Sequence, residues 1–336
     1  MHPVKIAQIG VGYWGPNLLR NLMTNRRCVV TTAADPSHER LDYVHRLYPA
    51  IAVTDKVEDV LKDPHTEAVV IATPVATHYD LAMKVLNAGK HLLVEKPMAR
   101  SVSEVEDIGR ISEEQCLVAM VGHTFLFNSA VRYVKALIES GDLGDIRYIY
   151  SQRLNLGRIR SDIDALWNFA PHDISIIQYW LDNPTPISVV KRGIDIMQNG
   201  IDDVVFLNIL YPNKIMANIH VSWLDPTKVR AMTVVGSRKM VVYDDMAENK
   251  IAIYDKGIDR KAVLGEHMDY DDQHFPVFNY RSGDVLLPKV DFQEPLAVEI
   301  DHFIDCIENG ILSIAGVEHA KKVVAILVSA TGYPGR

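Results

Sequence analysis

Three groups of residues carry types and spacings from which chemistry can be built. The first is Gly10-Val11-Gly12-Tyr13-Trp14-Gly15, a G-x-G-x-x-G string that follows an apolar run directly. Glycine at its first position permits a tight turn. At the second it lets backbone amides approach a pyrophosphate, and at the third it allows close helix–strand packing. A helix opening here adds unpaired amides and a partial positive charge for phosphates. Asp35 stands twenty residues after Gly15, at the end of the next β-type run. A carboxylate there accepts bonds from the adenosine ribose and repels a 2′-phosphate, which favours NAD over NADP. Arg40 nearby softens that preference, and Asp35-Pro36-Ser37 equally suits a helix start that needs a cap.

The second group is Glu95-Lys96-Pro97, at the end of another strand-like run. In open α/β sheets ligands gather at the carboxyl ends of strands. A lysine there can bond a substrate hydroxyl and stabilise alkoxide character as hydride leaves. The plainer reading is a solvated loop lysine paired with Glu95. The third group is Asn168 and His172, four residues apart and therefore on one face of a helix. Histidine titrates near neutrality and can take a hydroxyl proton. Tyr13 and Trp14, placed in the glycine loop, are read as flanking the cofactor.

The elements that must position these residues show in the pattern. Over the first 122 residues, β-type runs at 4–9, 28–34, 68–72, 91–94 and 117–121 alternate with amphipathic stretches at 16–23, 37–47, 77–88 and 101–114. This alternation predicts an α/β fold with a doubly wound parallel sheet. Gly89 reads as a helix end, and Ser101 with Glu104 as a capping box. From residue 123 the rhythm changes. Helices near 129–140 and 168–181 precede runs at 187–197, 203–211, 214–223, 229–235 and 240–243, and two helices close the chain at 295–308 and 317–330. Pro212-Asn213 and the stretch 236–239 are read as hairpin turns. A dinucleotide-binding domain over 1–122 and an α+β domain with an antiparallel meander over 123–336 are therefore expected, the second for substrate binding and oligomerisation. The closing helices could pack back on the first domain. The run 204–211 is apolar on both parities, which suits either a second subunit on one face or a sheet covered by its own chain.

Composition narrows the classes. With 48% hydrophobic and 23% charged residues the chain has ordinary globular proportions. A net charge of −8 without any basic block argues against a nucleic-acid partner. Cys28, Cys116 and Cys306 lie too far apart for a zinc motif or a disulfide framework, and read as reduced core thiols of a cytoplasmic protein. A strand-like run begins at Val4, leaving no room for a signal peptide, and no apolar run is long enough to span a membrane. His220, His267, His274 and His319 show no metal-ligand spacing, so no metal is expected.

Taken together, the glycine loop, Ala72-Thr73-Pro74 with His78, Glu95-Lys96-Pro97, Gly122-His123, Asn168 with His172, and Glu294-Pro295-Leu296 resemble the Gfo/Idh/MocA oxidoreductase family over the whole chain. The resemblance implies a Rossmann domain joined to an open-sheet domain, and an NAD cofactor held by Gly10, Gly12, Tyr13, Trp14, Gly15, Asp35, Pro36, Thr73, Pro74, His78, Glu95, Lys96, Pro97 and His123. It also implies catalysis by Lys96 and His172 and a cis bond before Pro97, while a homodimer or homotetramer is expected from the two-sided apolar run 204–211. The family commonly has aspartate where this chain has Asn168. Asparagine cannot relay a proton, so its implied role is to orient the substrate or His172. Within the family, the segments 153–157, 167–173 and 280–284 resemble members that oxidise the C3 hydroxyl of UDP-linked N-acetylhexosamines to a 3-keto sugar. This implies substrate contacts from Lys96, Asn128, Arg153, Asn155, Gly157, Trp167, Asn168, His172, Tyr280 and Arg281. Arg153, Arg158, Arg160 and Arg281 are candidate diphosphate partners, because guanidinium meets phosphate bidentately. The same arginines read individually as surface residues of polar loops. Dehydrogenation of a free polyol or aldose, reduction of a 3-keto sugar, and a sensor without catalysis are the alternative readings.

Overall fold

The computed structural model describes residues 2–260 and 278–331. Its first elements are β1 (Val4–Ile9), α1 (Gly15–Thr24), β2 (Cys28–Ala34), α2 (His38–Leu47), β3 (Ala52–Thr54), α3 (Val57–Lys62), β4 (Ala68–Ile71), α4 (His78–Asn87), β5 (His91–Glu95), α5 (Val102–Glu114) and β6 (Ala119–Gly122). The strands form one parallel sheet in the order β3-β2-β1-β4-β5-β6. This is the doubly wound order, and it reverses direction between β1 and β4. Helices cover both faces, so strand interiors are apolar on both parities; Ile6, Ala7, Val69, Val70 and Leu92 are fully buried. Gly89, at φ +70°, ends α4 as expected. Ser101 caps α5: its hydroxyl accepts from the Glu104 amide at 3.2 Å, and the Glu104 carboxylate accepts from the Ser101 amide at 3.1 Å. The pair β3 and α3 is too short to show a period, and the sequence reading passed over it.

The remaining elements are α6 (Ser129–Glu139), β7 (Ile146–Leu156), α7 (Ala165–Trp180), β8 (Ser188–Ile194), β9 (Val204–Leu210), β10 (Met216–Ser222), β11 (Leu224–Gly236), β12 (Met240–Asp244), β13 (Ile251–Arg260), β14 (Phe278–Leu286), α8 (Pro295–Asn309) and α9 (Val317–Thr331). The second sheet has eight strands in the order β14-β13-β12-β11-β7-β10-β9-β8. Here the meander expected from sequence is corrected. β7 inserts between β10 and β11, parallel to the first and antiparallel to the second. Its inward positions include Ser151 and Arg153, so the alternation that marks a half-buried strand is hidden.

The turn after β9 is also corrected. A two-residue hairpin of the usual hand needs positive φ at both central residues, and the proline ring forbids that at Pro212. The left-handed pair moves on to Asn213 and Lys214, and the loop lengthens until the Tyr211 amide meets the Ile215 carbonyl at 2.8 Å. At 236–239 the expected tight turn forms, with the Gly236 amide on the Lys239 carbonyl at 3.0 Å.

The chain divides into two compact units, one of residues 1–128, 174–179 and 292–336, the other of 129–173 and 180–291. In the first unit Glu294, at the start of α8, holds Arg20 and Asn21 of α1. Arg27 binds Asp305 and Glu308 of α8 at 2.7 and 2.6 Å. In the second unit, Val205, Leu207 and Ile209 of β9 are fully buried. The opposite face is open: Phe206 is 45% and Leu210 38% exposed, with Val190, Met216 and Tyr148 beside them in register. Phe206 stacks on His220 of β10 at 4.1 Å. The described residues leave this face uncovered.

Candidate functional site

β1 delivers the chain to the switch point of the first sheet, and the three glycines divide the work there. Gly10 has φ +93°, and a Cβ on it would stand 2.5 Å from the Ala72 carbonyl oxygen. A Cβ on Gly15 would stand 2.5 Å from the Gly10 carbonyl oxygen. Both are walled in by backbone, so neither tolerates a side chain. Gly12 differs, since nothing lies within 4 Å of where its Cβ would be. That open cradle above the start of α1 fits a pyrophosphate. Gln8 locks the loop from below, its amide donating to the Gly10 and Gly15 carbonyls at 2.9 Å each. The sequence reading missed Gln8; the signal was a polar residue among the apolar positions Ile6, Ala7 and Ile9, just before the glycines.

Asp35 ends the neighbouring strand and accepts from the Val11 amide at 2.7 Å and the Ser37 amide at 2.9 Å. The Asp35 carboxylate thus turns the chain into α2 through the Ser37 amide, and α2 itself has no side-chain cap bond. Each carboxylate oxygen keeps a further lone pair, so this turn and ribose binding are compatible. Tyr13 is 88% exposed, and Trp14 lies near enough to Glu95 to favour its ionised form. Pro36 is exposed beside Asp35.

Thr73 and Pro74 follow β4 across the switch point. His78 is buried, with Nδ1 2.8 Å from the Pro97 carbonyl and Nε2 2.9 Å from the Thr73 carbonyl. Burial, with Lys96 nearby, pushes this histidine below its ordinary pKa despite both carbonyls. His78 therefore ties the Thr73 and Pro97 loops together. The Lys96–Pro97 peptide bond is cis, and Lys96 stands at the carboxyl end of β5. Glu95 accepts from the Lys96 amide at 3.2 Å. Burial raises its carboxyl to about 7, opposed by the charge of Lys96. His123 follows β6 and is buried against His319 of α9, ring centroids 5.3 Å apart. Burial first, then His319 and Lys96, hold it well below the usual histidine range. Asn128 is buried at the end of the 3₁₀ turn 124–127.

In the second unit, α7 begins where Asp164 accepts from the Trp167 amide at 2.9 Å and its own carbonyl accepts from Asn168 at 3.0 Å. Asn168 and His172 are then one helical turn apart and both half-buried. Pro171, between them, has no amide to give the Trp167 carbonyl. The next residue, Asp173, is buried. It accepts from Ser151 Oγ at 2.8 Å, from Arg153 Nε at 2.8 Å and from Arg153 Nη2 at 3.3 Å.

Arg153, expected as a diphosphate partner, has a side chain 8% exposed that binds Asp173 through Nε and Nη2. The pair pins β7 to α7 beside His172. Arg160 pairs with Asp162 at 2.5 Å. Arg281 donates to Asp255 at 3.0 Å and to the Arg238 carbonyl. Tyr280, 75% exposed, and Arg281 lie on β14, four strands from β7. At one strand spacing of about 4.8 Å that is roughly 19 Å, so the sheet does not bring them to Arg153 or Asn155. Arg158 is exposed in the loop after β7. Gly157 and Asn155 adjoin closely, a Cβ on Gly157 falling 2.8 Å from the Asn155 side chain.

Among the described residues no cluster of histidine, cysteine or acidic side chains could hold a metal, and no helix is long and apolar enough to cross a membrane. His267 and His274 lie outside the described residues.

Comparison with known proteins agrees with this arrangement. Residues 4–123 match the profile of an oxidoreductase family with an NAD-binding Rossmann fold, and residues 131–242 match the GFO/IDH/MocA C-terminal domain. A 1-carboxy-3-chloro-3,4-dihydroxycyclohexa-1,5-diene dehydrogenase of Comamonas testosteroni is 33% identical over 185 residues, which is 52% of this chain and 47% of that enzyme. The chain thus spans about half the length of that curated relative. A scyllo-inositol 2-dehydrogenase (NAD(+)) of Bacillus subtilis (strain 168) is 25% identical over 321 residues, covering 92% of this chain and 87% of that protein. In structure, the chain is similar to UDP-N-acetylglucosamine 3-dehydrogenase GnnA of Acidithiobacillus ferrooxidans, with TM-score 0.78 and 22% identity over 98% of this chain and 96% of the other, a likeness of fold. With both domain profiles matched in order over more than half of its length, the chain belongs to the Gfo/Idh/MocA oxidoreductase family.

Proposed function

We propose that this chain is an NAD-dependent dehydrogenase that oxidises the C3 hydroxyl of a UDP-linked N-acetylhexosamine to the 3-keto sugar. The observation that carries the dehydrogenase reading is Lys96 at the end of β5, in the same sheet as the open Gly12 cradle. NAD, when bound, supplies the acceptor for hydride from the carbon that bears the hydroxyl. Lys96 Nζ binds the hydroxyl oxygen and stabilises it as negative charge develops. A ring nitrogen of His172 takes the hydroxyl proton. Asn168, an amide one turn earlier, orients the substrate without exchanging a proton. Asp35 supports NAD over NADP through its remaining lone pairs and its charge.

The nucleotide-sugar part rests on the segments 153–157, 167–173 and 280–284 and on the fold shared with the 3-dehydrogenase. Arg158, exposed in the loop after β7, is the guanidinium assigned here to a diphosphate, whose charge-assisted bonds would help position the sugar. UDP alone is then expected to compete with the substrate, and the free sugar to turn over far more slowly than its nucleotide form. A second reading, oxidation of a free polyol, is favoured by the long match to scyllo-inositol 2-dehydrogenase and by the carboxylates already held by Arg153, Arg160 and Arg281. Efficient oxidation of a free polyol, with no inhibition by UDP, would establish that reading instead.

The open face of the second sheet supports a homo-oligomer, dimer or tetramer, in which a second copy covers Phe206, Leu210, Met216 and Tyr148. Light scattering at micromolar concentration should give at least twice the chain mass; a monomer contradicts this.

A further inference from the structure

Behind Lys96 lies a group of buried ionisable side chains that the proposed reaction does not use. Glu95 ends β5 opposite Gly122 of β6, and the missing side chain of Gly122 makes room for its carboxyl. A Cβ there would fall 3.2 Å from both Cδ and Oε1 of Glu95. Two residues beyond Gly122, Thr124 Oγ1 donates to Glu299 Oε2 at 2.8 Å. Glu299 comes from α8, 175 residues away in sequence, and is fully buried. Oε1 of Glu95 and Oε1 of Glu299 are both shut off from solvent, and no partner among the described residues reaches either. Two bare carboxylates in such a place would cost far more than the hydrogen bonds present return.

We propose that Glu95 and Glu299 form one buried carboxyl pair that holds a single proton, kept on Glu299, so that Lys96 faces one negative charge rather than two. This rests on the role given to Lys96 above and makes both glutamates positioning residues. The surrounding groups fit. Glu95 meets the charge of Lys96, a bond from the Lys96 amide and the nearby Trp14 indole, all of which favour its ionised form. Glu299 has only the Thr124 hydroxyl against burial and the Glu95 charge, and these hold it well above the ordinary carboxyl range. His123, between β6 and α9, adds no countercharge: burial, His319 and Lys96 keep it neutral, and burial puts His319 at about 4. The proton therefore stays where the fewest donors point, and the charge stays beside the lysine.

The test is infrared titration of the intact protein without substrate. The parent should keep a carboxylic-acid C=O band above pH 8, where exposed carboxyls are ionised. Glu299→Gln should remove that band. In Glu95→Gln the band should persist but titrate about one pH unit or more lower, since the like charge beside it is gone. Turnover should fall at least about tenfold in Glu95→Gln, the usual scale for losing a supporting partner of a reactive group, and stay within a few-fold in Glu299→Gln. A parent without the band, a band that survives Glu299→Gln, or an unshifted band in Glu95→Gln overturns the pair. Should Glu299→Gln fail to fold, the parent and Glu95→Gln titrations decide alone. The band does not depend on any substrate, so a chain that shows it yet oxidises no sugar refutes the dehydrogenase reading and not the pair.

Discussion

Arg153→Met is expected to destabilise the protein by about 3–5 kcal/mol, the cost of leaving a buried carboxylate without its partner. Asp173 would keep only the Ser151 hydroxyl at 2.8 Å in place of three donors. A loss of that size is a large share of a typical folding free energy. It should show as a lower denaturation midpoint with an unchanged denaturant slope. Replacing Ser151, Arg153 and Asp173 together by Ala, Met and Leu should recover most of it, since the penalty lies in the unpaired charge. Catalysis should suffer with folding, because Asp173 follows His172 directly on α7. If Arg153→Met instead kept full stability and raised KM for nucleotide sugars alone, Arg153 would be a phosphate ligand after all.

The second large effect concerns the reaction. Lys96→Met and His172→Ala should each lower turnover by about 100-fold or more, the ordinary scale for removing acid–base help. Cofactor affinity should change little in either, because the glycine loop and Asp35 stand on other strands. The double variant should be much less than multiplicatively impaired, as residues serving one proton transfer are not additive. Near-normal turnover in either single variant would remove that residue from the mechanism.

Much of this was legible before any coordinates. The glycine string could be read because each glycine answers to a different local demand, and the structure separates them: two walled by backbone, one open. Ser101 with Glu104, and Gly89, were legible because caps are written within a few residues. What failed to show was long-range. β7 was invisible because Ser151 and Arg153 face the core, where Asp173 on another element bonds both. Glu299 carried no motif, and its meaning depends on Glu95, about 200 residues earlier, which no local pattern reports. Four arginines looked alike as phosphate ligands, yet three already hold a carboxylate. Pro212-Asn213 looked like a two-residue turn because composition alone ignores which of the two must take positive φ.

The central claim, hydride transfer from a sugar carbon to NAD, is tested most directly with UDP-N-acetylglucosamine deuterated at C3. Incubation with the purified chain and NAD should give reduced nicotinamide that carries the deuterium, together with a 3-keto sugar nucleotide by mass spectrometry. The reaction should be slower when NADP replaces NAD. Reduced nicotinamide without deuterium would move the oxidised carbon elsewhere on the substrate. No reduced nicotinamide from this compound or from any nucleotide sugar, polyol or aldose would contradict the account.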